Sequence, residues 1–244
     1  MAGLRVERVP TIGAMTHPSD HPLQGLVIDW GGVLTGGLVE TMAAWCEADG
    51  IDYAHYREVM RTMIGEEYDA EARVNPIHAL ERGEMTVPHF EIELARRLRT
   101  TSGFAVSATG LLERMFARFE SAPDMTGLVR RAHASGLRTA LLSNSWGIAY
   151  PRDGWDDMFD TVVLSAEVGM RKPEPGIFRH VADLLGLAPS QIVFVDDLPS
   201  NVEAAVAVGM VGIHHRSYDE TATELEALFD LALRGDDATQ RTAG

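Results

Sequence analysis

The sequence contains one cysteine, Cys46, so no disulfide can form within the chain. That fits a reducing compartment, and a cytoplasmic protein is expected. Cys46 lies in the helix-like apolar run Ala43-Ala44-Trp45-Cys46, which reads as a buried structural thiol rather than a nucleophile. Positive charge is also scarce. Lys and Arg total 21 against 36 Asp and Glu, a formal net charge of −15. Such a surface repels phosphate backbones, which argues against a nucleic-acid partner. Nothing resembles a basic membrane-binding helix, and no apolar stretch reaches the roughly 20 residues of a bilayer span. Arg5 and Arg8 precede no apolar block, so no secretory signal is read there. Internal repeats and low-complexity segments are lacking too. The acidity is read as solubility. It has one corollary: an anionic substrate needs local positive charge, so the few cations near a site are informative.

What is present suits a sizeable globular core. The 244 residues are 45% apolar and 23% charged, enough for one large domain or a core with a smaller insert. Five short apolar runs stand out: Leu26–Ile28, Thr139–Leu142, Thr161–Leu164, Ile192–Val195 and Val211–Ile213. Continuous apolar runs of this length suit strands buried on both faces, as in a parallel sheet. Helical patterns over Met125–Ser135, Pro175–Leu185 and Ser200–Val208 each stop at a glycine, Gly136, Gly186 and Gly209. Strand–helix alternation of this kind predicts a doubly wound α/β core. Residues 38–120 break the alternation and read as wholly helical. Asn75-Pro76 resembles a helix start, and Phe90, Leu94 and Leu98 recur at helix spacing. This block reads as an inserted helical domain, with residues 23–37 and 121–235 as the core. Residues 1–22, with His17 and His21 around Asp20, read as a flexible tail, as do residues 236–244.

Four segments carry candidate chemistry, each following a predicted strand, where open parallel sheets bind ligands. Asp29-Trp30-Gly31-Gly32 places a carboxylate at a strand end beside glycines that let backbone approach a ligand; it is equally an ordinary strand-to-loop turn. Ser143-Asn144-Ser145 offers hydroxyl and amide donors, although such residues are common in loops. Lys172, shortly before a helix start, could neutralise a transferring phosphoryl group or stay solvated. Asp196 and Asp197 would repel each other unless a cation lay between them, and Mg²⁺ favours carboxylate oxygens plus substrate phosphate. Their other reading is an acidic helix cap. Taken together the four supply a nucleophile, a metal site, donors and a cation, the parts phosphoryl transfer requires.

On these motifs the sequence resembles the haloacid dehalogenase superfamily of hydrolases, subfamily IA. The run from Leu141 to about Gly212 is especially similar to the phosphatase domain at the N-terminus of soluble epoxide hydrolases. The resemblance implies a Rossmann-like parallel sheet with an inserted helical cap of the C1 type. It implies that Asp29 attacks phosphorus and forms an aspartyl-phosphate. Mg²⁺ would be held by Asp29, the Gly31 carbonyl, Asp197, and Asp196 directly or through water. Ser143 and the Asn144 backbone would hold phosphate oxygens, and Lys172 would balance charge. The substrate would be a small phosphorylated metabolite, handled by a monomer or homodimer. One position departs from the family pattern. A second aspartate usually follows the nucleophile by two residues, and here that position is Gly31. Loss of a general acid–base group typically costs ~10²–10⁴-fold. Two other readings therefore stay open: a catalytically weakened phosphate-binding or regulatory module, and a metal-free 2-haloacid dehalogenase. Candidate substrate contacts in the cap are Arg57, Arg61, His55, Arg73 and His78, although charges on a cap are more often solvated helix faces.

Overall fold

The computed structural model describes residues 22–65 and 75–235. The expected tails at 1–22 and 236–244 fall outside these residues, apart from residue 22, as does Arg73. Five strands form one sheet: β1 (Gly25–Ile28), β2 (Arg138–Ser143), β3 (Thr161–Leu164), β4 (Ile192–Asp196) and β5 (Val211–His214). Their order is β3-β2-β1-β4-β5 and every pairing is parallel. β1 is central, with Ile28 in register with Leu141 on one side and Val195 on the other.

Side chains alternate across a strand, so each apolar run feeds two cores. Leu26, Ile28, Leu141, Val193, Val195 and Ile213 point to a layer with Leu128, Val129, Leu225 and Phe229. That layer is built by α6 (Pro123–Ala134) and α10 (Tyr218–Phe229). Val27, Ala140, Leu142, Val163 and Phe194 point to the other layer, with Ile177, Phe178, Val181 and Ala205. Those come from α8 (Pro175–Leu185) and α9 (Pro199–Ala207). The short helix α7 (Ser165–Val168) follows β3. The β2–β3 crossover contains only a 3-10 turn at Trp155–Asp157, and Trp155, Met158 and Phe159 fill the space a helix would occupy. Gly186 ends α8 in the left-handed region that glycine adopts without steric cost.

Between β1 and α6 the described residues form five helices: α1 (Leu38–Ala48), α2 (Tyr53–Gly65), α3 (Pro76–Glu81), α4 (Val87–Arg97) and α5 (Leu111–Phe116). They bury their own apolar cluster, including Trp45, Cys46, Met63, Leu80, Phe90, Leu94 and Leu112. Asn75 caps α3 through its side chain, accepting from the Ile77 and His78 amides at 2.9 and 3.3 Å. The block is not wholly helical. Leu98 leaves α4 in an extended conformation, and Thr100-Thr101-Ser102-Gly103 forms a turn closed by isolated bridges from Arg99 to Ala105 and Ile51 to Thr100. The Thr100 hydroxyl oxygen accepts from the Phe104 amide at 2.9 Å, competing with helix continuation. Entry to and exit from the block run side by side, with Thr35 bridged to Ser121 and the Ala122 amide donating to Leu34 O at 2.8 Å.

Candidate active site

β1, β2 and β4 end at the same edge of the sheet, and their first loop residues form the site. The Asp29 amide donates to Val195 O at 3.0 Å, extending the β1–β4 ladder by one residue and fixing the carboxylate at the strand tip. The Trp30 amide then donates to Asp29 Oδ1 at 2.7 Å. Gly32 turns the chain with φ +73°, and a Cβ there would lie 2.4 Å from Asp197 Oδ2. A glycine is needed for that close approach as well as for the turn.

Lys172 comes from the loop before α8 and is 1% exposed. Its ammonium lies 2.7 Å from Asp29 Oδ1 and 2.6 Å from Asp196 Oδ2. Asn144 anchors that loop to the end of β2. Its Oδ1 accepts from the Lys172 amide at 2.8 Å and its Nδ2 donates to Lys172 O at 3.0 Å. Asp196 is fully buried, and both its oxygens are engaged. Oδ1 accepts from the Leu198 amide at 2.9 Å, and Asn201 Nδ2 donates to Oδ1 and Oδ2 at 3.0 and 3.1 Å. Ser143, the last residue of β2, has its Oγ 3.0 Å from the Tyr150 hydroxyl.

Charge in the site is unbalanced. Carboxylate oxygens of Asp29, Asp196 and Asp197 lie within 4.8 Å of one another, against one ammonium. Burial pushes the Asp29 carboxyl up to about 7, with Asp196 and Asp197 acting in the same direction and Lys172 opposing. Burial, then Asp196, pushes Asp197 up to about 6. Lys172 shows the reverse balance. Burial disfavours its charge, but Asp196 and Asp29 outweigh this and hold it above the usual lysine range. When all three acids are ionised, the one lysine leaves an excess of two negative charges, which suits a divalent cation with oxygen ligands.

A cavity of about 300 Å³ opens above this floor. Asp29, Gly31, Ser143, Asn144, Lys172, Asp197 and Asn201 line it, whereas Asp196 sits behind. The structure thus brings Asp29, Ser143, Asn144, Lys172 and Asp197 to one cavity and sets Asp196 beneath as a support. The walls are apolar: Leu38, Met42, Tyr56, Met60, Met115 and Phe116 from the helical block, with Trp30, Phe119 and Trp146. Among the described residues, the candidate charged contacts do not line it. Arg57 and Arg61 are exposed, His55 Nε2 pairs with Arg97 O at 2.8 Å, and His78 lies outside the lining. Helices α1, α2 and α5 turn apolar faces to the cavity, and α3 contributes the buried Glu81.

Three residues went unrecognised in the sequence. Asn201 sits in the first turn of α9, five residues after Asp196, and that spacing was its only signal. Tyr150 occurs in a loop without periodicity. Glu81, at the end of α3, is buried in the cavity wall, where it pairs with Arg171 Nε and accepts from Trp146 Nε1 at 3.3 Å. Burial raises its carboxyl above the usual range even though Arg171 opposes this. The neighbouring Arg82 pairs with Glu174. Two ion pairs therefore tie α3 to the loop that carries Lys172.

Comparison with known proteins defines the class of this fold and site. A family model for haloacid dehalogenase-like hydrolases matches residues 23–209, and the chain belongs to that family. Phosphatases are among its relatives. It is similar to the rat bifunctional epoxide hydrolase 2, with 30% identity over 62% of this chain and 30% of that protein. A sesquiterpene phosphatase of Aspergillus oryzae is 35% identical over 43% of this chain and 57% of its own length. The chain thus spans less than two thirds of these relatives. Among solved structures, a haloacid dehalogenase-family enzyme of Bacteroides thetaiotaomicron in complex with magnesium and inorganic phosphate shares the fold. Its TM-score is 0.56 at 21% identity, covering 80% of this chain and 94% of that one. No helix among the described residues is long and apolar enough to cross a membrane.

Proposed function

We propose that this chain is a Mg²⁺-dependent phosphatase of small phosphate monoesters whose ester group is apolar. The observation that carries the reading is the Lys172 ammonium buried between Asp29 and Asp196, with Asp197 alongside. Asp29 is the nucleophile. The protein contacts to its carboxylate fall on Oδ1, from Trp30 and Lys172, which leaves Oδ2 for phosphorus among the described residues. Attack breaks the P–O ester bond and places the phosphoryl group on Asp29; the alcohol leaves with a proton drawn from solvent, and water later cleaves the acyl phosphate to give phosphate and free Asp29. Ser143 and the Asn144 backbone donate to phosphoryl oxygens, and Lys172 balances their charge. Asp29, Asp197 and the Gly31 carbonyl would hold Mg²⁺, which supplies further charge neutralisation. Asp196 is saturated by Lys172, Asn201 and the Leu198 amide, so it orients Lys172 and would act on a bound metal indirectly. The solved relative's complex with magnesium and phosphate supports this reading.

The apolar walls set the ester group. Away from the floor, the lining from the helical block is apolar apart from Glu81 and the Tyr56 hydroxyl, and Glu81 is already paired with Arg171. A hydrocarbon body gains about 0.8 kcal/mol per buried CH₂. The sesquiterpene phosphatase among the relatives is consistent with such a substrate. In this reading the partner is a small phosphorylated metabolite in the cytoplasm, not nucleic acid or membrane, and the enzyme acts as a monomer or homodimer.

Gly31 favours a second reading, a phosphate-binding module with weakened turnover. Assay of phosphate release from aryl, alkyl, isoprenoid and sugar phosphates, with Mg²⁺ and with chelator, separates the two. Mg²⁺-dependent release that favours apolar esters supports the phosphatase. Tight phosphate binding without release supports the module. Chelator-resistant halide release from 2-haloacids would support the dehalogenase instead.

A further inference from the structure

We propose that the Tyr150 hydroxyl belongs to the phosphoryl-binding cradle, paired with Ser143 so that one O–H of the pair is left to donate to a phosphoryl oxygen. This assignment rests on the phosphatase reading and adds a second residue to its phosphoryl-binding cradle.

The argument is one of donors and acceptors. Each hydroxyl has one O–H and two lone pairs. The contact at 3.0 Å between Ser143 Oγ and Tyr150 OH uses one of the two O–H groups, whichever residue donates. Among the described residues the remaining O–H has no protein acceptor, and both side chains line the cavity that holds Asp29, Asn144 and Lys172. A donor left over at the edge of an anion site is a donor for the anion. Its polarisation by the mutual hydrogen bond strengthens it.

Tyr150 is also held in place. Its ring meets Trp30 edge-on at 4.8 Å and packs against Trp155 at 5.8 Å. Trp30 in turn donates its amide to Asp29 Oδ1, so nucleophile and phenol are fixed to the same residue. A donor with its geometry fixed before reaction needs no reorganisation as charge shifts onto the phosphoryl oxygens. Burial pushes the phenol up to about 12, with Asp29 acting in the same direction, so Tyr150 keeps its proton at neutral pH. It therefore strengthens the one O–H that the pair leaves free, without adding charge to a site already rich in carboxylates.

The test is Tyr150→Phe, which retains the ring and its packing; a melting curve checks that the fold is intact. Two readouts follow: affinity for inorganic phosphate in the presence of Mg²⁺, and kcat/KM across aryl phosphates of graded leaving-group acidity. The variant is expected to bind phosphate several-fold more weakly. It is expected to lose ~10–10²-fold in kcat/KM, short of the ~10²–10³-fold for complete loss of one donor, because Ser143 keeps its own O–H. The loss is expected to be the same for every leaving group. With Ser143→Ala the two losses are expected to be non-additive, as for groups sharing one hydrogen bond. Unchanged phosphate affinity and kcat/KM overturn the proposal. A loss that grows as the leaving group becomes less acidic also overturns it, because the phenol would then be protonating the ester oxygen. A wild type that neither binds nor releases phosphate overturns the phosphatase reading and this proposal with it. An active wild type with an equally active Tyr150→Phe overturns this proposal alone.

Discussion

The Lys172 ammonium lies 2.7 Å from Asp29 Oδ1, and its second carboxylate partner is the fully buried Asp196. One cation thus couples the tips of two adjacent strands, β1 and β4. Removing it leaves buried acids uncompensated. Lys172→Met is expected to destabilise the metal-free protein by ~3–5 kcal/mol, the usual cost of breaking a buried pair from one side. Turnover is lost as well. Denaturant unfolding and phosphate release measure the two effects, and a Lys172→Met protein as stable as the parent would contradict the pairing.

The pH dependence follows from the raised carboxyls. Asp197 sits at about 6 and Asp29 at about 7, against an ordinary 3.8. The folded state therefore binds these protons more tightly than the unfolded chain. The stability they contribute is full below about 4 and is lost as pH rises through 6 to 7. Without metal, wild type is expected to lose stability relative to Asp197→Asn over that window. Mg²⁺ is expected to raise the melting temperature more at pH 8 than at pH 5. Thermal melts of both proteins across pH, with and without Mg²⁺, check this.

Gly31 is the position where the family's proton-transfer aspartate would stand. A Cβ there meets only Leu38 Cδ2, at 3.7 Å, which is ordinary contact. Gly31→Asp is therefore expected to fold. It is expected to raise kcat on alkyl phosphates by up to ~10²–10⁴-fold, with a smaller gain on aryl phosphates, whose leaving groups need less protonation. No gain on either series would mean that proton transfer is not what limits the parent.

The walls make a further prediction. For straight-chain alkyl phosphates, kcat/KM is expected to rise ~4-fold per added CH₂ until the cavity is full, from about 0.8 kcal/mol each. Met60→Lys should flatten that rise while leaving the smallest esters least affected. A series with no dependence on chain length would count against an apolar ester group.

The sheet was legible because its strands are buried on both faces. Runs such as Ile192–Val195 and Thr139–Leu142 must be nearly all apolar to sit there, and the chemistry-bearing residues follow directly at their ends. The cavity was less legible. Sequence shows which cap residues carry charge but not which face each helix turns inward. Arg57 and Arg61 therefore stood out as candidate contacts, while nothing marked Met42, Met60 and Met115 as lining. Met42, Met60 and Met115 lie on three different helices, and only their packing makes a wall of them. The burial of Lys172 was hidden for a similar reason. Its two partners lie 143 and 24 residues away in the chain, and a lysine before a helix looks solvated until the loops are brought together. The turn at 98–110 was obscured by the helix-spaced Phe90, Leu94 and Leu98, although Thr100-Thr101-Ser102-Gly103 carried the chemistry of a turn.

The most direct measurement is rapid-quench mass spectrometry during turnover of an apolar phosphate ester with Mg²⁺, on wild type and on Asp29→Asn. The account predicts one added phosphoryl group on the peptide containing Asp29 in the wild type, and neither adduct nor phosphate release in the variant. Phosphate release by Asp29→Asn at the parent's rate would contradict it.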